Sequence, residues 1–533
     1  MGVLLSIDLG TEGARVGAFT DDGTSLGSVH RPYRTSFPRP GWAEQDPEEW
    51  WSAFVDAART LLATDACRAA GPVVALASAT TASTVAVVDE AGTPLRPAIL
   101  WMDSRASAQS RRTADFATDH AVLAWSGGSD AAEWLVPKAM WLHENEPDTY
   151  DRSSRIVEAI DYLTFRLTGR WVGSQMNAVC KYNYDPIARR FPVELYAALG
   201  IEGLADKLPD EVVPVGAVAG ELTRRAADEL GLEPGAPVAV GGIDAHVSLL
   251  ACGGDCDGLV SLVSGTSSAI IAEVDAPVDT TEVWGPYPQA LRTSKWLVEG
   301  GQVTSGSVLK WVGEGIMGIA RDDLPGLIAG ATAVDPEVHG LRALDFFMGN
   351  RTPYRDARLR GAVVGLTLGT TREELYRAAV EAVACGTRGV VDSFERAGVS
   401  CERLVFSGGI EKNALWQQVT VDVLGREAEI VDGDNLTLRA CAVIGAVGAG
   451  LVGDLDEGAT LFAPRTRVLT PDAAHHEVYR ETYDDYIELV GALTPVMHAT
   501  AARQEARRTA AASLPSDARS LLVPEAGSGA VLR

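Results

Sequence analysis

Most of the simple markers of function are missing from this 533-residue chain. It has seven cysteines, Cys67, Cys180, Cys252, Cys256, Cys385, Cys401 and Cys441. The count is odd and no Cys-x-x-Cys occurs, which argues against a disulfide framework and against a thiolate zinc site. No apolar run reaches 18 residues, so no transmembrane helix is expected. No G-x-x-x-x-G-K-[ST] occurs either, which sets aside the P-loop enzymes. Basic residues are outnumbered 46 to 72, for a net charge of −26. Without a basic field, neither a nucleic acid nor an anionic membrane is an expected partner. A nucleotide needs only local donors and is not excluded. The first eight residues lack the basic start and long apolar core of a signal peptide. They read as a strand, and a cytoplasmic protein is expected.

The composition that remains is ordinary: 46% hydrophobic and 22% charged. The length predicts at least two large domains. One stretch organises the rest, Gly241-Gly242-Ile243-Asp244-Ala245-His246. An apolar run over 236–240 predicts a buried strand leading into it, and an apolar helix is expected over 247–252. A carboxylate where a strand ends and a helix begins can act as a general base or face a metal ion. It can also simply cap the helix. His246 can pack or donate a hydrogen bond.

Two other stretches resemble each other. Residues 3–9 predict a strand ending in Asp8-Leu9-Gly10-Thr11, with returning strands over 15–20 and 25–30 joined by the turn Asp21-Asp22-Gly23-Thr24. Residues 259–263 predict a strand ending in Ser264-Gly265-Thr266-Ser267, with a return over 269–274. A turn with Gly and Thr presents N–H groups and a hydroxyl to phosphate oxygens, and an acid beside it can hold Mg²⁺. One such turn is commonplace in hairpins. Two at matching positions of two half-chains, with Asp244, point to phosphate binding in two similar, facing domains.

Between these lie a helix start at Asp46-Pro47-Glu48-Glu49 with an apolar face of Trp50, Phe54, Ala57, Ala58, Leu61 and Leu62, strands over 73–79 and 85–88, and a long helix over 372–397. Ser407-Gly408-Gly409 joins a strand to a helix beginning at Asn413. Bare backbone there lets a ring or ribose lie close; the plainer reading is a tight loop capped by Asn413. A small-residue helix is expected over 438–452. Gly448-Ala449-Gly450-Leu451-Val452-Gly453 fits G-x-G-x-x-G but ends that helix instead of joining strand to helix, so a dinucleotide fingerprint is rejected.

These residues together resemble the FGGY carbohydrate kinases, from residue 3 to about residue 493. The landmarks are Asp8-Leu9-Gly10-Thr11, Trp101-Met102-Asp103-Ser104-Arg105, Asp161-Tyr162-Leu163, Gly242-Ile243-Asp244, Ser264-Gly265-Thr266-Ser267, Gly349-Asn350-Arg351-Thr352-Pro353, and Ser407-Gly408-Gly409 with Asn413, Trp416 and Gln417. The resemblance implies an α/β fold of two ribonuclease-H-like domains, of the actin/hexokinase type, flanking a catalytic cleft. It implies an N-terminal sugar-binding domain over 1–254, a C-terminal nucleotide-binding domain over 255–495, and a helical or disordered tail over 496–533. ATP and Mg²⁺ are the implied cofactors. Asp244 resembles the catalytic base, and Asp8 the acid near Mg²⁺. Gly10-Thr11 and Gly265-Thr266 resemble the two phosphate loops; Gly408, Gly409 and Asn413 resemble the adenosine site. Trp101 and Asp103 resemble part of the sugar wall. Thr80-Thr81-Ala82-Ser83-Thr84 is similar to the ribulokinase branch, which implies sugar contacts from Thr81, Ser83, Lys181 and Glu299. One departure is Leu436-Thr437-Leu438-Arg439, where many members carry a Glu. The expected reaction is phosphorylation of a primary hydroxyl of a ketopentose, ribulose first. The alternatives are a xylulose or polyol (glycerol or erythritol) kinase and, from another class, a non-catalytic actin-fold ATPase. The small-molecule sugar and ATP are the expected partners, and a homodimer is left open as its assembly.

Overall fold

The computed structural model describes residues 2–512 apart from 255, 279, 280 and 434. The opening meander forms from Val3–Leu9, Gly13–Thr20 and Ser25–Pro32, paired antiparallel in that order. Val73–Thr80 adds in parallel beside the first strand, and Pro237–Ile243 adds in parallel beside that. Val218–Glu221 closes the far edge. The second sheet repeats the plan. Leu259–Ser264, Ser268–Val274 and Trp296–Gln302 run antiparallel, and Arg403–Gly408 and Ala428–Val431 add in parallel on the other side. Five central strands thus share order and direction in both sheets. These are the two ribonuclease-H-like domains of an actin/hexokinase-type fold.

The register explains why the functional segments meet. Leu9 pairs with Thr80, and Thr80 with Ile243. Three parallel strands therefore end level. The turn after Leu9, the loop after Thr80 and Asp244 leave the same end of one sheet, where ligands gather in open α/β folds. In the second sheet Ser264 pairs with Gly408, so the second Gly-Thr turn and the Gly408-Gly409 turn emerge side by side.

The layers follow from alternation. Val3, Leu5, Ile7 and Leu9 pack with the helix Pro47–Leu62, which buries Trp50, Phe54, Ala57, Ala58 and Leu61, with Trp51 added. Asp46 caps that helix, accepting from the Glu48 N–H at 2.9 Å. Leu4 lies on the opposite face, and the helix covering it comes from the other end of the chain. Leu436–Gly448 lies on Val3–Leu9: Cys441 Sγ is 3.5 Å from the Ile7 carbonyl, and a Cβ on Gly445 would sit 3.6–3.8 Å from Leu4, Ala75 and Ala77. The small residues in this helix are there for close approach. The two sequence halves therefore share a core that a division at residue 254 does not show. The helix starts two residues earlier than expected because Asn435 accepts from the Leu438 N–H, and it stops at Gly448, ahead of Gly450 at φ +69°.

Trp296–Gln302 is a glycine-bearing strand that the residue pattern does not predict. Nor does that pattern show that Val85–Val88 leaves the main sheet to join Glu44–Gln45, Ala98–Ile99 and Arg155–Glu158 in a separate four-stranded sheet. Two-residue strands carry too little pattern to read. The described part of the expected tail, 496–512, is helical and continues a helix that begins well before it. One helix runs Ala473–Ala512 and packs Val490, Leu493 and Met497 on the second core; residues 513–533 lie outside the described residues. All seven cysteines are buried and free. Among the described residues no helix is long and apolar enough to cross a membrane.

Candidate active site

Two acids mark the end of the first sheet. Asp8 pairs across the hairpin with Arg15 in register, and Arg15 Nη1 holds Asp8 Oδ2 at 2.9 Å. Asp8 Oδ1 is buried with no hydrogen-bond partner. Burial lifts the Asp8 carboxyl above its usual range, with Arg15 pulling against it. Asp244 opens a short helix and is half-buried; its Oδ1 accepts the Ala245 N–H at 2.7 Å. Burial first and the neighbouring Asp8 second push Asp244 up to about 7. Thr437 stands against the same turn: its hydroxyl is 3.0 Å from Ser248 Oγ, which donates to the Asp244 carbonyl at 2.8 Å. The departure at 436–439 thus supplies a hydroxyl behind the acid. Arg439 is occupied elsewhere, donating to the Gly23 and Phe462 carbonyls.

The first Gly-Thr turn is tied to the pocket wall. Trp101 Nε1 donates to Thr11 Oγ1 at 2.9 Å, and Gln45 Nε2 to the Thr11 carbonyl at 2.8 Å. Tyr33 donates its hydroxyl to the Gly10 carbonyl. In the second turn, Gly265 N–H bonds the Ser267 carbonyl at 2.8 Å, and the Gly265 and Thr266 carbonyls are taken by Gly306 and by Ser305 and Ser307. Thr266 itself is exposed. Gly408 sits at φ +87°, and a Cβ there would come within 2.9 Å of the Ser264 carbonyl. Only glycine suits that position. Gly409 beside it is exposed. Asn413 does cap the helix Ala414–Leu424, accepting from Trp416 N–H at 3.1 Å, and its amide also reaches Tyr376 at 3.3 Å.

Glu299, on the second sheet, reaches residues of the first domain. Its Oε2 lies 3.5 Å from Lys181 Nζ and 3.3 Å from His246 Nε2. Burial would raise the Glu299 carboxyl, but Lys181 and His246 outweigh it and hold it well below the usual carboxylate range. Lys181 also lies over the Trp134 ring at 4.6 Å. Neither His246 nitrogen nor Glu299 Oε2 makes a well-aligned hydrogen bond. The cluster keeps donors and an acceptor for a polyhydroxylated ligand. It lies close enough to Asp244 for Glu299 to add to the rise of that carboxyl.

Not every expected wall residue faces the cleft. Asp103 is completely buried; its oxygens accept from the Ala43 N–H at 2.6 Å and from Arg105 at 2.7 and 2.9 Å. It shapes the loop carrying Trp101 and has its acceptor positions filled by protein. Ser83 is buried, and Thr81 shares a hydroxyl contact with Thr84 at 2.9 Å. Sequence reading missed Trp134, Tyr287, Lys138 and Glu158 around this site and left His246 without a role. Of these only His246 stands in a motif; Trp134 and Lys138 come from the start of the helix Leu135–Asn145, and tertiary packing brings the rest to them.

Residues 3–251 match the N-terminal domain of the FGGY family of carbohydrate kinases, and residues 260–451 match its C-terminal domain. A ribulokinase of Mycolicibacterium smegmatis is 30% identical over 91% of this chain and 93% of its own. A human FGGY carbohydrate kinase domain-containing protein is 29% identical, covering 91% and 96%. The crystal structure of xylulose kinase from Rhodospirillum rubrum superposes with a TM-score of 0.82 at 27% identity, over 93% of this chain and all of that one. With two matched domains in order and relatives aligned along nearly the whole length, this chain belongs to the FGGY family of carbohydrate kinases and is a sugar kinase.

Proposed function

We propose that the enzyme transfers the γ-phosphoryl group of ATP to a primary hydroxyl of an open-chain ketopentose, ribulose first. The observation that carries this is the convergence of Asp244, Asp8, Lys181, His246 and Glu299 on one cleft between two phosphate-type turns. Asp244 accepts the proton as the hydroxyl oxygen attacks phosphorus; the bond to ADP breaks, and the proton passes later to solvent. Gly10-Thr11 and Gly265-Thr266 hold the phosphates from both domains. Gly408, Gly409 and Asn413 hold the nucleoside end. Lys181 and Glu299 fix the sugar, with Thr81 and Trp101 along its wall and Ser83 buried behind them. The 1–254 half carries the acceptor and the 255–495 half the nucleotide, with Glu299 crossing between them.

Mg²⁺ fits beside Asp8. Oδ2 is fixed by Arg15, and the partnerless Oδ1 suits a hard cation reached directly or through water. Bound there with ATP, Mg²⁺ supplies charge neutralisation on the phosphates.

Ribulose is favoured by the relatives named ribulokinase and by the hydroxyl-rich Thr80-Thr81-Ala82-Ser83-Thr84 loop. The relatives of known structure named xylulose kinase keep xylulose as the second reading. An ADP-release assay over D- and L-ribulose, D- and L-xylulose, glycerol, erythritol and ribitol tests it. The largest kcat/KM is expected with a ribulose; a xylulose or polyol in first place overturns the assignment.

A further inference from the structure

Lys138 has no part in the chemistry above, yet it is among the most deeply buried charged side chains in the protein. It lies on the helix Leu135–Asn145 with no exposed surface. Its Nζ points at three backbone carbonyls: Ser83 at 2.7 Å, Leu100 at 2.7 Å and Ile99 at 3.4 Å. A buried amine needs partners. Here they come from two segments far apart in sequence, and each runs directly into the acceptor wall.

Ser83 belongs to the loop that leaves the main sheet after Thr80. That loop is anchored at its start by Thr81 N–H on the Leu9 carbonyl at 3.1 Å, and it enters the small sheet at Val85. Leu100 immediately precedes Trp101, whose indole N–H holds Thr11 in the first phosphate turn. Val85 pairs with Ile99 in the small sheet, which brings the two segments side by side. The same segments also meet farther out, at Val88 and Pro94 and through the Leu95 N–H on the Val87 carbonyl at 2.8 Å. The amine is the tie at the end nearest the acceptor wall, beyond the last paired residue, and it binds backbone, so substitutions of the loop's side chains do not release it.

We infer that Lys138 is a positioning residue for the phosphoryl-transfer reaction, setting the sugar-side loop 81–84 and the Trp101 segment in fixed register and, through Trp101, aligning the acceptor with the phosphate turn at Thr11. This rests on the acceptor lying between that loop and Trp101, as proposed above, and not on which sugar it is.

The test uses the full chain with Lys138→Met, which keeps length and loses every donor, and Lys138→Gln, which keeps two. Kinetics are measured with whichever panel sugar the wild type uses best, so a different preferred sugar revises the proposed substrate and leaves this test intact. For Lys138→Met the sugar KM is expected to rise at least ~10-fold, the scale of losing buried hydrogen bonds to an amine. The MgATP KM should rise less than the sugar KM, within about threefold, because Thr11 is still held by Gln45 and the second-domain turns are untouched. The preference for the best sugar over its epimer should shrink several-fold, and Lys138→Gln should fall between. A sugar KM and epimer preference equal to wild type, with activity falling only as folded protein falls, overturns the inference. Should Lys138→Met fail to fold, Lys138→Gln is judged by the same two readouts.

Discussion

Replacing Asp244 by Asn separates catalysis from stability. The amide keeps an oxygen for the Ala245 N–H at 2.7 Å and changes the volume little, so the short helix and its Ser248–Thr437 support should persist. What is lost is the proton acceptor. Removing a positioned general base costs ~10²–10⁴-fold in turnover, or about 3–5 kcal/mol of barrier. Stability should move the other way. Burial and Asp8 raise the Asp244 carboxyl to about 7, so the native state resists its ionisation. A raised carboxyl contributes stability that is present below its ordinary value and lost as pH rises through about 7. Asn does not titrate. The variant should match wild type near pH 4 and exceed it at pH 8 by about 1–2 kcal/mol, allowing for partial exposure of the group. Steady-state ADP release at saturating substrates and thermal unfolding at the two pH values measure both effects. Turnover within fivefold of wild type would refute the base assignment. A variant less stable than wild type at pH 8 would refute the account of its environment.

Three further outcomes follow from the same geometry. Glu299→Gln leaves Lys181 and His246 facing an uncharged amide, and should raise the sugar KM about 10- to 100-fold with the MgATP KM nearly constant, since breaking a buried pair is costly; equal effects on both constants would show that Glu299 does not contact the sugar. Gly408→Ala places a methyl 2.9 Å from the Ser264 carbonyl at φ +87°, a conformation costing about 1–3 kcal/mol outside glycine, and should weaken nucleotide binding about tenfold by calorimetry while sugar binding is kept. Glu158 is wholly buried, and burial with Asp161 nearby lifts it to about 8; wild type should therefore lose stability between pH 5 and pH 9, on the order of 4–5 kcal/mol from this group, and Glu158→Gln should flatten that loss in urea unfolding. Parallel pH profiles for the two proteins would show that Glu158 does not titrate as described.

The residues that could be read from sequence are those whose role is set by local backbone. Asp8-Leu9-Gly10-Thr11 and Ser264-Gly265-Thr266-Ser267 are hairpin turns, and a turn writes its geometry into three or four adjacent residues. Asp46-Pro47 announces its helix in the same way. Glu299 and Lys181 carry no such local signal and were named only through the family resemblance. Lys138 and Trp134 had neither support, because each acquires its role only when distant segments pack; His246 stood in the central stretch, but its contact with Glu299 appears only on packing. Asp103 shows the reverse case. The resemblance put it in the sugar wall, but sequence could not show that Arg105 and Ala43 use up its acceptors.

The helix Leu436–Gly448 bears on how the cleft works. It follows a strand of the second domain and yet seals one face of the first sheet, directly beneath Asp8 and Asp244. Through Thr437 it touches the turn holding the candidate base, while Asn435, its cap, sits just past the end of Ala428–Val431. Any rotation of one domain against the other must pivot on this helix or slide along it. Its close-packed small residues favour pivoting, since sliding would drive Gly445 and Gly448 off the Ala75, Ala77 and Ala239 surface they fit. Closure about such a pivot would keep Asp244 fixed to its own sheet and bring Glu299 and the Ser264–Ser267 turn to it.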